Sequence, residues 1–202
     1  MPRISRQQIT APHTLYHIVC RGNNQKRIFR GGRDYKKLLE IIRETKKKYP
    51  FYFYSFNLLP NHFHFELETI ELSVSRIMHQ INNLYVKYFR RLHGGAGHLF
   101  QGRFYSSLID KDAYFWEVGS YIDLNAVKAG LAKRPEDYQW GSYSVYCQKD
   151  YHDNLIDRER FLGYVGEDFE KARLMYVEFV RERLKSSKNQ TTPSFSVNEK
   201  MI

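Results

Sequence analysis

Apolar and polar positions change their period several times along the chain, and each change marks an element. From His13 to Cys20, apolar and β-branched residues predict a first strand, which ends at the turn-prone Arg21-Gly22-Asn23-Asn24. Asp34 can cap a helix whose inward stripe is Leu38, Leu39, Ile41, Ile42 and Thr45, with Lys36, Lys37, Arg43 and Lys46 to Lys48 outside. Phe51 to Leu59 reads as an aromatic-rich strand, and Pro60-Asn61 turns it into a second one, His62 to Glu68. Alternation there is strict. His62, His64, Glu66 and Glu68 share one face, and Phe63, Phe65 and Leu67 share the other. Ser73 starts a long amphipathic helix with Ile77, Met78, Ile81, Leu84, Tyr85, Tyr88 and Leu92 inside, stopped by Gly94-Gly95-Ala96-Gly97.

Phe104 to Ile109 predicts a fourth strand, and Asp110 or Asp112 can cap a helix running through Tyr114, Phe115, Val118, Tyr121 and Ile122 towards Leu124. Strand, helix, strand, strand, helix, strand, helix is the order of an α+β ferredoxin-like (RRM-like) sandwich. Its central antiparallel sheet would be covered by helices on one face and left free for a site on the other. Beyond Tyr138-Gln139-Trp140 the pattern changes. The expected organisation is a domain at 1–148, a C-terminal helical extension at 149–185 with two short helices from about 155, and a polar, disordered tail at 186–202. The segment after 148 is expected to be dispensable for chemistry.

Charge narrows the partners. Lys and Arg number 32 against 22 Asp and Glu, a formal net charge of +10, which favours polyanions, nucleic acid first. The same excess is compatible with a merely soluble basic protein. Two cysteines, Cys20 and Cys147, match no metal spacing and suit a reducing compartment. No stretch approaches the ~20 apolar residues of a membrane span, and Met1 to Ala11 offers no apolar run for a signal peptide. A cytoplasmic protein with no membrane partner is expected.

Two features carry candidate chemistry. A strand puts residues i and i+2 on one face, so the imidazoles of His62 and His64 can reach one ion while Phe63 enters the core. Two ordinary histidines on a solvated strand face would look the same. Tyr121 and Asn125, four apart, share one helix face; a buried Tyr near a helix end has that spacing too. Taken together, a hydroxyl for in-line attack and a cation on the non-bridging oxygens are what phosphodiester cleavage by a protein nucleophile requires. Two imidazoles and an amide oxygen could hold Mg²⁺ or Mn²⁺, softness favouring Mn²⁺ and abundance Mg²⁺. Tyr has an unperturbed pKa of about 10, so roughly a thousandth is phenolate at neutral pH, and the site must supply a proton acceptor or lower that pKa.

Five motifs in order make a resemblance specific: Arg21-Gly22-Asn23-Asn24, Leu58-Leu59-Pro60-Asn61-His62-Phe63-His64, Gln101-Gly102-Arg103-Phe104, Tyr121-Ile122-Asp123-Leu124-Asn125 before Val127-Lys128-Ala129-Gly130, and Pro135 to Tyr143. Over roughly residues 13 to 147 the chain resembles the single-tyrosine HUH transposases of the insertion-sequence type, particularly their REP-associated tyrosine transposase branch. The resemblance implies that His62 and His64 are the metal-binding pair and that Asn125 completes the metal site. It implies that Tyr121 attacks single-stranded DNA, leaving a 5′-phosphotyrosine and a free 3′-OH, and that rejoining reverses this step. Ala126 stands where the branch usually has Pro, Lys128 replaces Arg and Leu59 replaces Met; none removes a reacting group.

Single-stranded or hairpin DNA is the expected partner, held by cations on its backbone and rings on its bases. The candidates are Arg21, Asn23, Asn24, Lys26, Arg27, Arg90, Arg91, Arg103 and Lys128, with Arg103 first because it lies within a matched motif. A monomer or a homodimer would serve. Two other readings stand beside the enzyme: a DNA-binding module that keeps the fold and does not cleave, and an RNA-binding protein using an open aromatic sheet face.

Overall fold

The computed structural model describes residues 12–109, 111–151, 153–164, 166 and 168–189, with the side chains of 111–113, 188 and 189 left aside. Four strands, β1 (Leu15–Arg21), β2 (Phe51–Leu59), β3 (His62–Thr69) and β4 (Tyr105–Leu108), form one sheet in the order β2-β3-β1-β4. All three pairings are antiparallel. Helices α1 (Gly32–Lys48) and α2 (Val74–His93) connect them, and α3 (Lys111–Asp123) follows β4. This is the expected ferredoxin-like α+β sandwich.

The alternation in β3 decides which residues meet which layer. Phe63, Phe65 and Leu67 are fully buried in the main core with Leu38, Ile42, Ile77, Ile81 and Tyr85. Two local details differ from the sequence pattern. The cap of α1 is Gly31, and Asp34, inside the first turn, accepts from the Arg30 N–H at 2.7 Å; an acidic side chain there satisfies an otherwise orphaned donor. In α2 the last inward residue is Phe89, whereas Leu92, on the same face but in the last turn of the helix, is 39% exposed. Ser73 caps α2 as expected, accepting from the Arg76 N–H. Of the two caps expected for α3, Asp110 lies outside the described residues, as do the side chain of Asp112, the first eleven residues and everything after 189.

The other sheet face is not open. α3 lies across β2 and β3 on the His/Glu side, and α6 (Arg158–Gly163) and α7 (Phe169–Asn189) pack there too. Phe161 and Tyr176, both fully buried, meet the ring of Trp116 from α3 and of Tyr146 from the short helix α5 (Tyr143–Cys147). The cover encloses two carboxyl groups of β3, Glu66 and Glu68. Glu68 is completely buried and satisfied by Arg160, Tyr54 and Tyr164, since a charge leaves water only with partners. α7 continues through Asn189.

Candidate active site

Register brings a third histidine to the pair legible in β3. His64 is opposite Val19 and Glu66 opposite His17, so His17 of β1 projects from the same face as His62 and His64. The Nε2 of His17 is 3.0 Å from the Nδ1 of His64, and the two rings stack with centroids 5.3 Å apart. His62 uses its own Nδ1 on the Oδ1 of Asn61, at 2.7 Å, and its ring stands edge-on to His64 at 5.1 Å. Both imidazoles therefore have Nδ1 engaged, which leaves Nε2 for another partner. Burial, with Arg21 beside it, pushes the pKa of His62 down to about 4; burial, His17, His62 and Lys128 hold His64 well below the ordinary value. Both are neutral at pH 7, the state in which imidazole binds a cation.

Tyr121 arrives from the opposite layer. Its ring meets His64 and His17 edge-on, with centroids 5.9 and 5.8 Å away. The last turn of α3 is fixed from three sides. Asn57, opposite His64 in β2, donates from Nδ2 to the carbonyl of Ile122 at 2.9 Å. Asp123, fully buried, accepts from the Ser142 hydroxyl at 2.9 Å and from the Tyr176 hydroxyl of α7 at 2.7 Å. One turn back, a Cβ on Gly119 would come within 2.9 Å of Phe161 and of the Tyr176 oxygen and 3.1 Å of Glu66, so the close approach of α3 to the sheet requires glycine there.

After Leu124 the chain makes one more helical turn, α4 (Asn125–Lys128). Ala126, the second residue of this turn, is fully buried. Asn125 donates from Nδ2 to the Tyr121 carbonyl at 2.8 Å, which ties its side chain to the end of α3 that carries the nucleophile candidate. Lys128 sets its ammonium 4.6 Å from the centre of the Tyr121 ring.

The comparisons decide what this arrangement belongs to. A family model described as transposase IS200 like matches residues 10–125, more than half of the chain. The chain belongs to the IS200-like transposase family. A solved structure of a REP-associated tyrosine transposase bound to a REP hairpin is similar in fold, with a TM-score of 0.58 at 21% identity, covering 73% of this chain and 90% of that one. No curated protein matches. Family membership makes the chain a transposase-like, DNA-cleaving protein. Among the described residues, no helix is long and apolar enough to cross a membrane.

For this transposase the donor set fits a divalent cation. Two neutral imidazoles with free Nε2 atoms and one amide oxygen are three neutral ligands for a borderline ion with open positions. Nearby, both oxygens of Glu66 are buried without a hydrogen-bond partner, two residues from His64 on the same face; burial holds this carboxyl well above the usual carboxylate range. Among the described residues, no three His, Cys, Asp or Glu side chains form a metal cluster by themselves. Ligation through Nε2 requires His64 to carry its proton on Nδ1 and donate it to His17.

The cationic candidates of the transposase fall into two groups. Arg21, opposite His62, and the turn with Asn23, Asn24, Lys26 and Arg27 adjoin the segment carrying Arg103: Gly22 bridges Phe100, the Asn23 N–H meets the Leu99 carbonyl at 2.8 Å, and the Gln101 N–H meets that of Arg21 at 2.8 Å. This loop pair sits at the His62 end of the sheet, since the Gly22 N–H bonds the Asn61 carbonyl at 2.7 Å. Arg90 and Arg91 end α2 instead, Arg90 holding the Gly97 carbonyl at 2.6 Å. Sequence reasoning missed His17, Asn57, Ser142 and Tyr176. Only His17 left a signal, a single imidazole inside an otherwise apolar strand; the others touch the site through partners 19 to 65 residues away.

Proposed function

We propose that this transposase cleaves and rejoins single-stranded DNA beside a hairpin or palindromic repeat through a 5′-phosphotyrosine on Tyr121. The observation that carries the reading is the Tyr121 ring lying against His64, on the strand face shared with His62, with Lys128 over it. In the step proposed, the Tyr121 oxygen attacks the scissile phosphorus and forms the O–P bond. The bond from phosphorus to the 3′-oxygen breaks, the phenol gives up its proton, and the departing oxygen gains one to become a free 3′-OH. A second 3′-OH reverses the step, so no energy source is needed. His62, His64 and Asn125 would hold Mg²⁺ or Mn²⁺, which supplies positive charge to the non-bridging oxygens. Lys128 adds charge on the other side of the ring, and Arg21 and Arg103 hold the strand that enters.

Labelled single-stranded DNA incubated with the full chain and Mn²⁺ should give an adduct stable to denaturation, with the label on the tryptic peptide containing Tyr121. Cleavage without any adduct would indicate a nuclease that uses water, and binding without cleavage a module that only recognises DNA. His62→Ala and His64→Ala should each lower cleavage by about 10³-fold or more while hairpin affinity stays within about threefold, because the cation acts on the reacting phosphate. Full cleavage by both variants would remove the metal site from the reading.

A further inference from the structure

An imidazole ligates a cation only through a ring nitrogen that carries no proton. For His62 the preceding residue settles which nitrogen that is. The Asn61 amide donates from Nδ2 to the Gln25 carbonyl at 3.3 Å, which turns its Oδ1 towards the His62 Nδ1 at 2.7 Å. An amide oxygen only accepts, so His62 keeps its proton on Nδ1 and its lone pair on Nε2.

The partner of His64 is less one-sided. Its Nδ1 meets the Nε2 of His17 at 3.0 Å, across 47 residues of sequence, with the ring planes 12° apart. An imidazole nitrogen can donate or accept. Burial pushes the pKa of His17 down to about 4, and that of His64 is held well below the ordinary value. Both rings are therefore neutral at pH 7, and one proton lies between the two nitrogens. If His17 donates it, His64 carries its own proton on Nε2 and cannot ligate. If His64 donates it, Nε2 is open and His17 carries its proton on Nδ1.

Water has little access to this pair, since His17 and His64 are each 6% exposed. A carboxylate at position 17 would accept as well, but it would stand opposite Glu66, a buried carboxyl already held well above the usual range, and would take a further charge out of water. A neutral imidazole accepts without that cost. The Tyr121 ring stands edge-on to both members of the pair, 5.8 Å from His17 and 5.9 Å from His64, so the bond that orients one ligand also shapes the seat of the nucleophile candidate. We infer that His17 is a positioning residue of the metal site: by accepting a hydrogen bond from the Nδ1–H of His64, it fixes the tautomer and ring plane that turn the His64 Nε2 lone pair to the cation. The inference rests on the proposed reading of His62 and His64 as ligands.

Cation binding by the full chain without DNA tests it, with Mn²⁺ affinity read from the electron paramagnetic resonance signal of the free ion. His17→Leu, which cannot accept, should weaken Mn²⁺ binding about 10- to 100-fold, whereas His17→Gln, whose amide oxygen accepts, should stay within about threefold of the parent chain. In the parent chain loaded with Mg²⁺, imidazole nitrogen-15 shifts should place the proton of His64 on Nδ1 and that of His17 also on Nδ1. This measurement needs no variant, so it decides even where His17→Leu does not fold, and a role in packing alone would not set it. A His17 proton on Nε2, couplings of three imidazoles to Mn²⁺ in the parent chain, or equal losses in the Leu and Gln variants would each overturn the inference. Mn²⁺ affinity lost in His64→Ala but kept in His17→Leu would overturn it while leaving the metal site standing. Affinity untouched by His64→Ala would sink the proposed metal site and the inference with it.

Discussion

Tyr121→Phe is expected to abolish the covalent adduct and to lower strand cleavage by about 10⁴-fold or more, the scale on which enzymes lose rate when a nucleophile is removed. The substitution deletes one oxygen and keeps the ring. Its edge contacts with His17 and His64 and the cation of Lys128 over its face survive, so stability should change by no more than about 1 kcal/mol. Metal and hairpin affinities should be unaffected, since on the proposed reading neither uses the phenol oxygen. The measurement is a single-turnover assay with the adduct resolved on a denaturing gel, alongside thermal unfolding. An adduct that persists in Tyr121→Phe would move the nucleophile to another residue.

Ending the chain after Gln148 is expected to prevent folding. α6 and α7 contribute Phe161, Leu162, Tyr176 and Val180, none of which has exposed surface. Burying each is worth roughly 1.5–3 kcal/mol, so their loss rivals the whole net stability of about 5–15 kcal/mol typical of a domain. Removal would also strip Arg160 from Glu68 and Tyr176 from Asp123, so two bonds that tie the sheet and α3 to this layer are lost as well. The truncated chain should lack the cooperative unfolding transition and near-ultraviolet circular dichroism of the full one. A cooperative truncated form would show that the core closes without α7. Tyr176→Phe then isolates the connection: it keeps the packing, removes one hydrogen bond to Asp123 at a cost of about 1–3 kcal/mol, and should reduce the rate of adduct formation more than DNA affinity.

Much of this was written in local pattern. The order of elements, the split of β3 into a histidine face and a phenylalanine face, and the Ser73 cap all depend on neighbours within a few residues, where side-chain period and capping chemistry act. The pairing of Tyr121 with Asn125 was legible for the same reason: one helical turn separates them, and an amide can bond the carbonyl a turn back. His62 and His64 were legible as two groups on one face, because a strand admits no other arrangement.

What only the tertiary structure decided is everything that crosses the sheet. His17 reaches His64 because β1 and β3 pair in one register out of several, and a shift of one residue would turn it into the opposite layer. The expected open face is closed by α3, α6 and α7, whose rings Trp116, Phe161 and Tyr176 pack together from distant parts of the chain. Glu68 and Asp123, buried beneath that cover, bond Arg160 of α6 and Tyr176 of α7, in a segment whose sequence reads as an appendage because its partners in β3 and α3 lie 53 to 92 residues away. Hydrophobic period says that a residue faces inward. Which surface it faces is set by chain closure over 19 to 96 residues, where packing and charge compensation, not local preference, select the partner.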